Sequence, residues 1–205
     1  MRNPIDRLFG NLPKPVRVFL DWALTIIGAI AIVLAIKAWV VNPYRIPTSS
    51  MEPTLHCARP GPGCEARFSD RVLADRVSLH FRSPHRGEII VFETPKRARE
   101  VCAGSSGSSV FVKRLIGLPG ETVVEKRGGF IYIDGKKLNE PYIQPSRRAR
   151  DTRSGKWNVP KGEYFFMGDN RGESCDSRDW GSVPRKNLIG PVFFTYWPPN
   201  RIAIH

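Results

Sequence analysis

The chain has 205 residues, 41% of them hydrophobic and 25% charged, a globular composition long enough for one or two domains with a real core. Its net charge of +13 asks for a polyanionic partner, either nucleic acid or an anionic membrane face. The basic residues are scattered, however, and the short run Arg147-Arg148-Ala149-Arg150 reads as a solvated loop rather than a nucleic-acid footprint.

The first element is Trp22 to Val41, WALTIIGAIAIVLAIKAWVV, with Lys37 as its one charge. At helical rise, twenty such residues match the hydrocarbon thickness of a bilayer. Lys37 lies one turn from the end and can carry its ammonium to the interface, and Trp22 and Trp39 stand where an aromatic belt would place them. The flank 1–21 carries Arg2, Arg7, Lys14 and Arg17 against Asp6 and Asp21. The positive-inside rule therefore keeps the N-terminus in the cytoplasm and sends residues 42–205 across a single span. A cleaved signal peptide is the alternative, but the one Ala-x-Ala site, Ala29-Ile-Ala31, lies inside the apolar run.

Beyond the span, Asn42–Pro47 is predicted extended. IPTSSMEPTL (46–55) follows, with three consecutive hydroxyl residues between Pro47 and Pro53. Cys57 and Cys64 bracket ARPGPG, a loop short enough to let them pair; Cys102 with Cys175 is then left by elimination, although four cysteines allow three connectivities. A zinc site on His56, Cys57 and Cys64 has too wide a spacing. Short apolar runs at Arg71–Ser78, Glu88–Phe92, Val110–Ile116, Glu121–Glu125, Phe130–Ile133, Glu163–Met167 and Val192–Tyr196 predict strands, with a floppy tract at Ala103–Ser109. Asp134-Gly135 predicts a hairpin, and residues from about 126 to 160 read as a loop-rich excursion or small subdomain. The fold class is mostly β, an antiparallel sheet domain behind one transmembrane helix, with eighteen Gly and eighteen Pro supplying turns.

Hydrolysis needs a nucleophile and a base. His56, His80, His85 and His205 have no spacing that suggests a Ser-His-Asp triad, and no G-x-S-x-G elbow is present. A lysine can serve as base if burial lowers its pKa. Lys113 is the candidate: it is embedded in VFVKRLIGLPG, and strand alternation puts it on one face with Phe111 and Leu115. GDNRGESCDSRDWGSVP (168–184) packs acids, arginines and serines into one loop. It reads either as a surface loop of exposed ion pairs or as a network bracing a site, and its acids do not match an EF-hand.

Together these segments resemble type I signal peptidases, membrane-bound serine proteases that remove signal peptides from exported proteins. The resemblance rests on the anchor, then IPTSSMEPTL, RGEIIVF (86–92), VKRLIGLPGE (112–121) and GDNRGESCDSRDWGSVP, in that order. It implies a β fold shared with the self-cleaving SOS-repressor peptidases, which carry a DNA-binding domain where this chain has an anchor. It implies Ser50 as nucleophile and Lys113 as general base, with Ser50 N–H and Thr48 forming the oxyanion hole. Ser174 would orient the lysine, Asp176 and Arg178 form a structural ion pair, and Asp169, Arg114 and Met51 give further support. Ser49 stands where the family commonly has glycine. No cofactor or metal is implied. The implied partners are exported preproteins cleaved after small-x-small sites, the secretion machinery and anionic membrane lipid, with no nucleic acid. Nine residues after Val41 reach at most about 30 Å, which keeps Ser50 near the bilayer. The competing readings are a related Ser-Lys peptidase for pilus or conjugation proteins and a catalytically idle anchored binding protein.

Overall fold

The structure, a computed structural model, describes residues 13–102 and 109–205. Arg2, Asp6 and Arg7 of the basic flank, and residues 103–108 of the tract predicted to be floppy, lie outside the described residues. The chain divides into two units, Met1–Val41 and Asn42–His205.

The first unit contains helix α1, Lys14–Trp39. It starts eight residues before the predicted span because Pro15 sits in the first turn, where its missing N–H costs no hydrogen bond. Its apolar side chains, among them Ile26, Ile27, Ile32 and Leu34, are exposed all round. Among the described residues it is the one helix long and apolar enough to cross a membrane.

The second unit is mostly antiparallel β. Its larger sheet contains β1 (Val41–Arg45), β2 (Arg71–Asp75), β3 (Ile89–Glu93) and β4 (Val110–Gly117). β9 (Glu163–Met167), β10 (Val183–Pro184), β11 (Leu188–Trp197) and β12 (Ala203–Ile204) complete it. The spatial order is β1-β2-β11-β3-β4-β9-β10, with β12 on β11. The smaller sheet orders β7 (Lys136–Lys137), β6 (Phe130–Ile133), β5 (Thr122–Lys126) and β8 (Gly155–Asn158). β11 is longer than its predicted core because Leu188–Pro191 pairs with β3 and the later half with β2, through register shifts. Asp134 and Gly135 both take positive φ, 47° and 83°, and close the predicted β6–β7 hairpin.

Three apolar clusters fill the unit. Ile90, Phe92, Leu115, Phe166 and Trp180 form one; Ile46, Met51, Val72, Val91 and Val192 a second; Ile116, Val123, Ile131 and Phe165 a third. Gly117 lets the two sheets approach, since a Cβ there would press on Val123, Phe165 and Val159. Two expectations need correction. Val77 does not extend a strand: β2 stops at Asp75, whose carboxylate takes the Val77 and Ser78 N–H groups and turns the chain into the one-turn helix Ser78–Phe81. Nor is the arginine run a solvated loop. Most of it is helical, Arg147 is buried against Glu65, and Arg148 bonds Glu140 at 2.9 Å.

Phe92 and Phe166 stack with ring centroids 4.5 Å apart. Phe166→Ala should therefore cost about 3–5 kcal/mol of stability, read as a lowered denaturant midpoint at unchanged slope.

Candidate active site

Three segments far apart in sequence build the site. The first follows β1. Ile46 N–H donates to Asp70 O at 3.0 Å, and the chain then enters a tight 3-10 turn at Ser49–Met51. Met51 is driven into the apolar cluster of Ile46, Leu55, Val72 and Val91, which fixes the turn and buries Ser50. Thr48 stays extended and exposed, its Oγ1 3.3 Å from Ser50 Oγ. The Glu52 carboxylate, fully buried, folds back the next loop by accepting from Cys57 N–H at 3.1 Å and Glu65 N–H at 3.4 Å. That loop is stapled by a Cys57–Cys64 disulfide, and Cys102 is bonded to Cys175.

The second segment is β4, which packs against the Ser49–Met51 turn. Lys113 pairs with Ile90 across the ladder, among buried Phe92, Leu115 and Phe166. Its Nζ lies 5.7 Å from the Phe111 ring centroid, on the face that alternation assigns. Burial pulls its pKa down from 10.5 to about 8; the Asp176 carboxylate works against that shift and Arg178 works with it. Among the described residues neither Lys113 Nζ nor Ser174 Oγ makes a hydrogen bond.

The third segment is the loop after β9. Asp169, Asn170, Arg171, Ser174, Asp176 and Ser177 are all buried, so this is an interior network and not a surface loop of exposed pairs. Ser177 Oγ accepts from Phe166 N–H at 2.9 Å. Asp176 accepts from Gly168 N–H at 3.0 Å and caps the helix Ser177–Trp180, with Asp179 completing the capping box. Arg178 grips Asp176 with two bonds of 2.7 Å and reaches Glu125 at 3.0 Å and Asp151 at 2.5 Å. Burial alone would raise the Asp176 pKa; the guanidinium outweighs it and brings the pKa down to about 2. Glu125, where burial dominates and Asp151 adds repulsion, is pushed up instead.

Arg114, on the opposite face of β4 from Lys113, holds Asp169 through bonds of 2.8 and 2.6 Å and stacks over Tyr142 at 3.8 Å. Three members of this network lay in the polar loop singled out in sequence but were given no individual role there. Asn170 binds the carbonyls of Ser49 and Ser50, each at 3.1 Å. Arg171 is fully buried against Glu140 and holds Gly168 O at 3.1 Å. Gly168 leaves space for both serines, because a Cβ there would collide with the Ser174 side chain and the Ser50 carbonyl. The available signal was the density of polar residues directly after a β-rich run. Among the described residues one group, Glu52, His56 and Glu65, brings possible metal-ligand atoms within 4.8 Å of one another. These side chains already have partners: Glu52 binds His56 and two backbone N–H groups, and Glu65 binds Arg147.

A buried lysine with a lowered pKa on the strand next to a constrained serine turn fits the chemistry of a serine endopeptidase. The profile described as "Signal peptidase, peptidase S26" matches residues 19–197. A signal peptidase I of Leptolyngbya laminosa is 37% identical over 95% of this chain and 87% of its own. A probable signal peptidase I-2 of Synechocystis is 34% identical over 93% and 78%, and a signal peptidase I of Bacillus licheniformis 33% identical over 89% and 90%. The chain belongs to the signal peptidase family, peptidase S26.

Gly168→Ala should displace Ser174 or the Ser50 carbonyl and lower peptidase activity on the order of 100-fold with the circular dichroism of the fold retained, since misplacement by about 1 Å costs that much.

Proposed function

We propose that this chain removes signal peptides from exported preproteins at a membrane surface, cutting after small-x-small segments with a Ser50–Lys113 dyad. The observation that carries the reading is Lys113: buried in an apolar cluster, its pKa near 8, on the strand that packs against the turn bearing Ser50. At neutral pH such an amine is uncharged in roughly a tenth of molecules, whereas an ordinary lysine is so in fewer than one in a thousand.

In this reading neutral Lys113 takes the Ser50 proton as Oγ attacks the scissile carbonyl carbon. The oxyanion is held by Ser50 N–H and the Thr48 hydroxyl, whose contact with Ser50 Oγ at 3.3 Å supports that role. Each donor is worth about 3 kcal/mol. The Lys113 ammonium then protonates the leaving amine as the C–N bond breaks. Water, deprotonated by Lys113, hydrolyses the acyl ester and frees Ser50. Ser174 orients the lysine once substrate tightens the site, as catalytic hydrogen bonds often do. β1 ends the larger sheet and leads directly to the Ser50 turn, so an extended substrate adds to that edge, and shallow apolar pockets select small side chains.

α1 anchors the protein as a single span with its N-terminus in the cytoplasm and residues 42–205 outside, close to anionic lipid headgroups and the secretion machinery. The basic charge then faces lipid, not nucleic acid.

Ser50→Ala and Lys113→Met should each abolish cleavage of a preprotein in detergent; full activity in either would overturn the dyad. Because the protonated lysine is inactive, kcat/KM should rise through a midpoint near pH 8 and fall about tenfold per unit below pH 7. A profile flat from pH 5 to 9 would exclude a lysine base.

A further inference from the structure

We infer that Asn170 is the positioning residue of the oxyanion hole, acting through the Ser49 carbonyl; the inference rests on Ser50 being the nucleophile. The proposed oxyanion donor, Ser50 N–H, shares a rigid peptide plane with Ser49 C=O, and in a trans peptide the two point in opposite directions. Whatever fixes the Ser49 carbonyl therefore aims the Ser50 N–H. That carbonyl accepts two bonds: Glu52 N–H at 3.0 Å, from within the turn, and Asn170 Nδ2 at 3.1 Å, from 121 residues away. Asn170 backbone N–H also donates to Ser50 O at 3.1 Å, so one residue clamps the peptide planes on both sides of the Ser50 Cα.

The amide orientation follows from its partners. Nδ2 donates to Ser49 O and to Glu173 Oε2, each at 3.1 Å, and both partners are acceptors only. A flipped amide would set oxygen against oxygen at both contacts. Its Oδ1 is buried without a hydrogen-bond partner among the described residues. The amide is thus set by its donor side. Ser49 is enclosed from a third direction: a Cβ at Gly63, in the stapled loop, would strike the Ser49 side chain and Glu173.

The test uses the full chain in detergent with a synthetic signal peptide. Asn170→Ala frees the Ser49 carbonyl and should lower kcat on the order of 10- to 100-fold, with KM within about twofold and the pH midpoint unmoved, because the Ser50 N–H it aims meets charge only as the oxyanion develops. Asn170→Asp replaces the donor with a carboxylate facing two acceptors and should lose more. Thr48→Val combined with Asn170→Ala should lose less than the product of the single losses, because both act on one oxyanion. A folded Asn170→Ala enzyme with kcat within twofold of the parent would overturn the inference, as would a loss confined to KM or a shifted pH midpoint. Ser50→Ala run alongside separates the two claims. If it still cleaves, the nucleophile assignment falls and this inference with it; if it is inactive while Asn170→Ala is fully active, only this inference falls.

Discussion

The interaction on which the site depends is the one between Lys113 and its surroundings. An amine in an apolar cluster loses its charge easily, but an unscreened carboxylate beside it would restore that charge. Asp176 is such a carboxylate, and Arg178 offsets part of its pull. The guanidinium that grips Asp176 thus has a second effect: its charge works with burial, against the nearby carboxylates, to keep the Lys113 pKa lowered to about 8. Arg178 is itself buried, and one guanidinium among Asp176, Glu125 and Asp151 cannot keep all three carboxylates ionised equally well. The imbalance falls on Glu125, whose pKa rises, at the far side of the cluster in the smaller sheet.

This explains why the smaller sheet matters to a site it does not contain. β5 supplies Glu125, the chain before β8 supplies Asp151, and the helix Pro145–Ala149 presents Arg148, which shares Glu140 with Arg171. Arg171 in turn holds Gly168 O, next to the serines. Buried ion pairs are poor sources of net stability compared with apolar packing. Here they fix directions: each guanidinium fork helps set the angle of a loop that brings Gly168 against Ser174 and the Ser50 carbonyl, and Asp176 into the field of Lys113.

Much of this was legible in the sequence where local patterning decides. EYFFM and FIYI form strands with the predicted limits, the Asp-Gly pair makes its hairpin, and all of the apolar run but Val40 and Val41 lies in a single long helix. Lys113 could be noticed because a charge in a β-rich apolar run is unusual, but a strand lysine can also snorkel to solvent, and it took the family resemblance to single it out. What stayed illegible is tertiary. Arg147 and Arg148 look solvated in sequence because their acids, Glu65 and Glu140, lie on other segments. Arg171 and Asn170 look like ordinary loop residues until the chain closes over them. Short segments such as Ser78–Phe81 become helical after one preceding carboxylate turns the chain, a signal too local to produce periodicity.

The same distinction separates the three hydroxyls of residues 48–50. A turn between prolines can hold any hydroxyl near a fixed point, but it cannot aim one. Aim comes from contacts made at a distance: Met51 driven into the core behind Ser50, Asn170 bonded to the carbonyls on either side of it, and Gly168 leaving room for its backbone. Ser49 gives its carbonyl to that clamp and its side chain to the stapled loop, while Thr48 stays extended and exposed beside the Ser50 hydroxyl. The turn is therefore completed only when β4 and the loop after β9 have both docked against it, so its geometry can be no more stable than the larger sheet that brings those segments together.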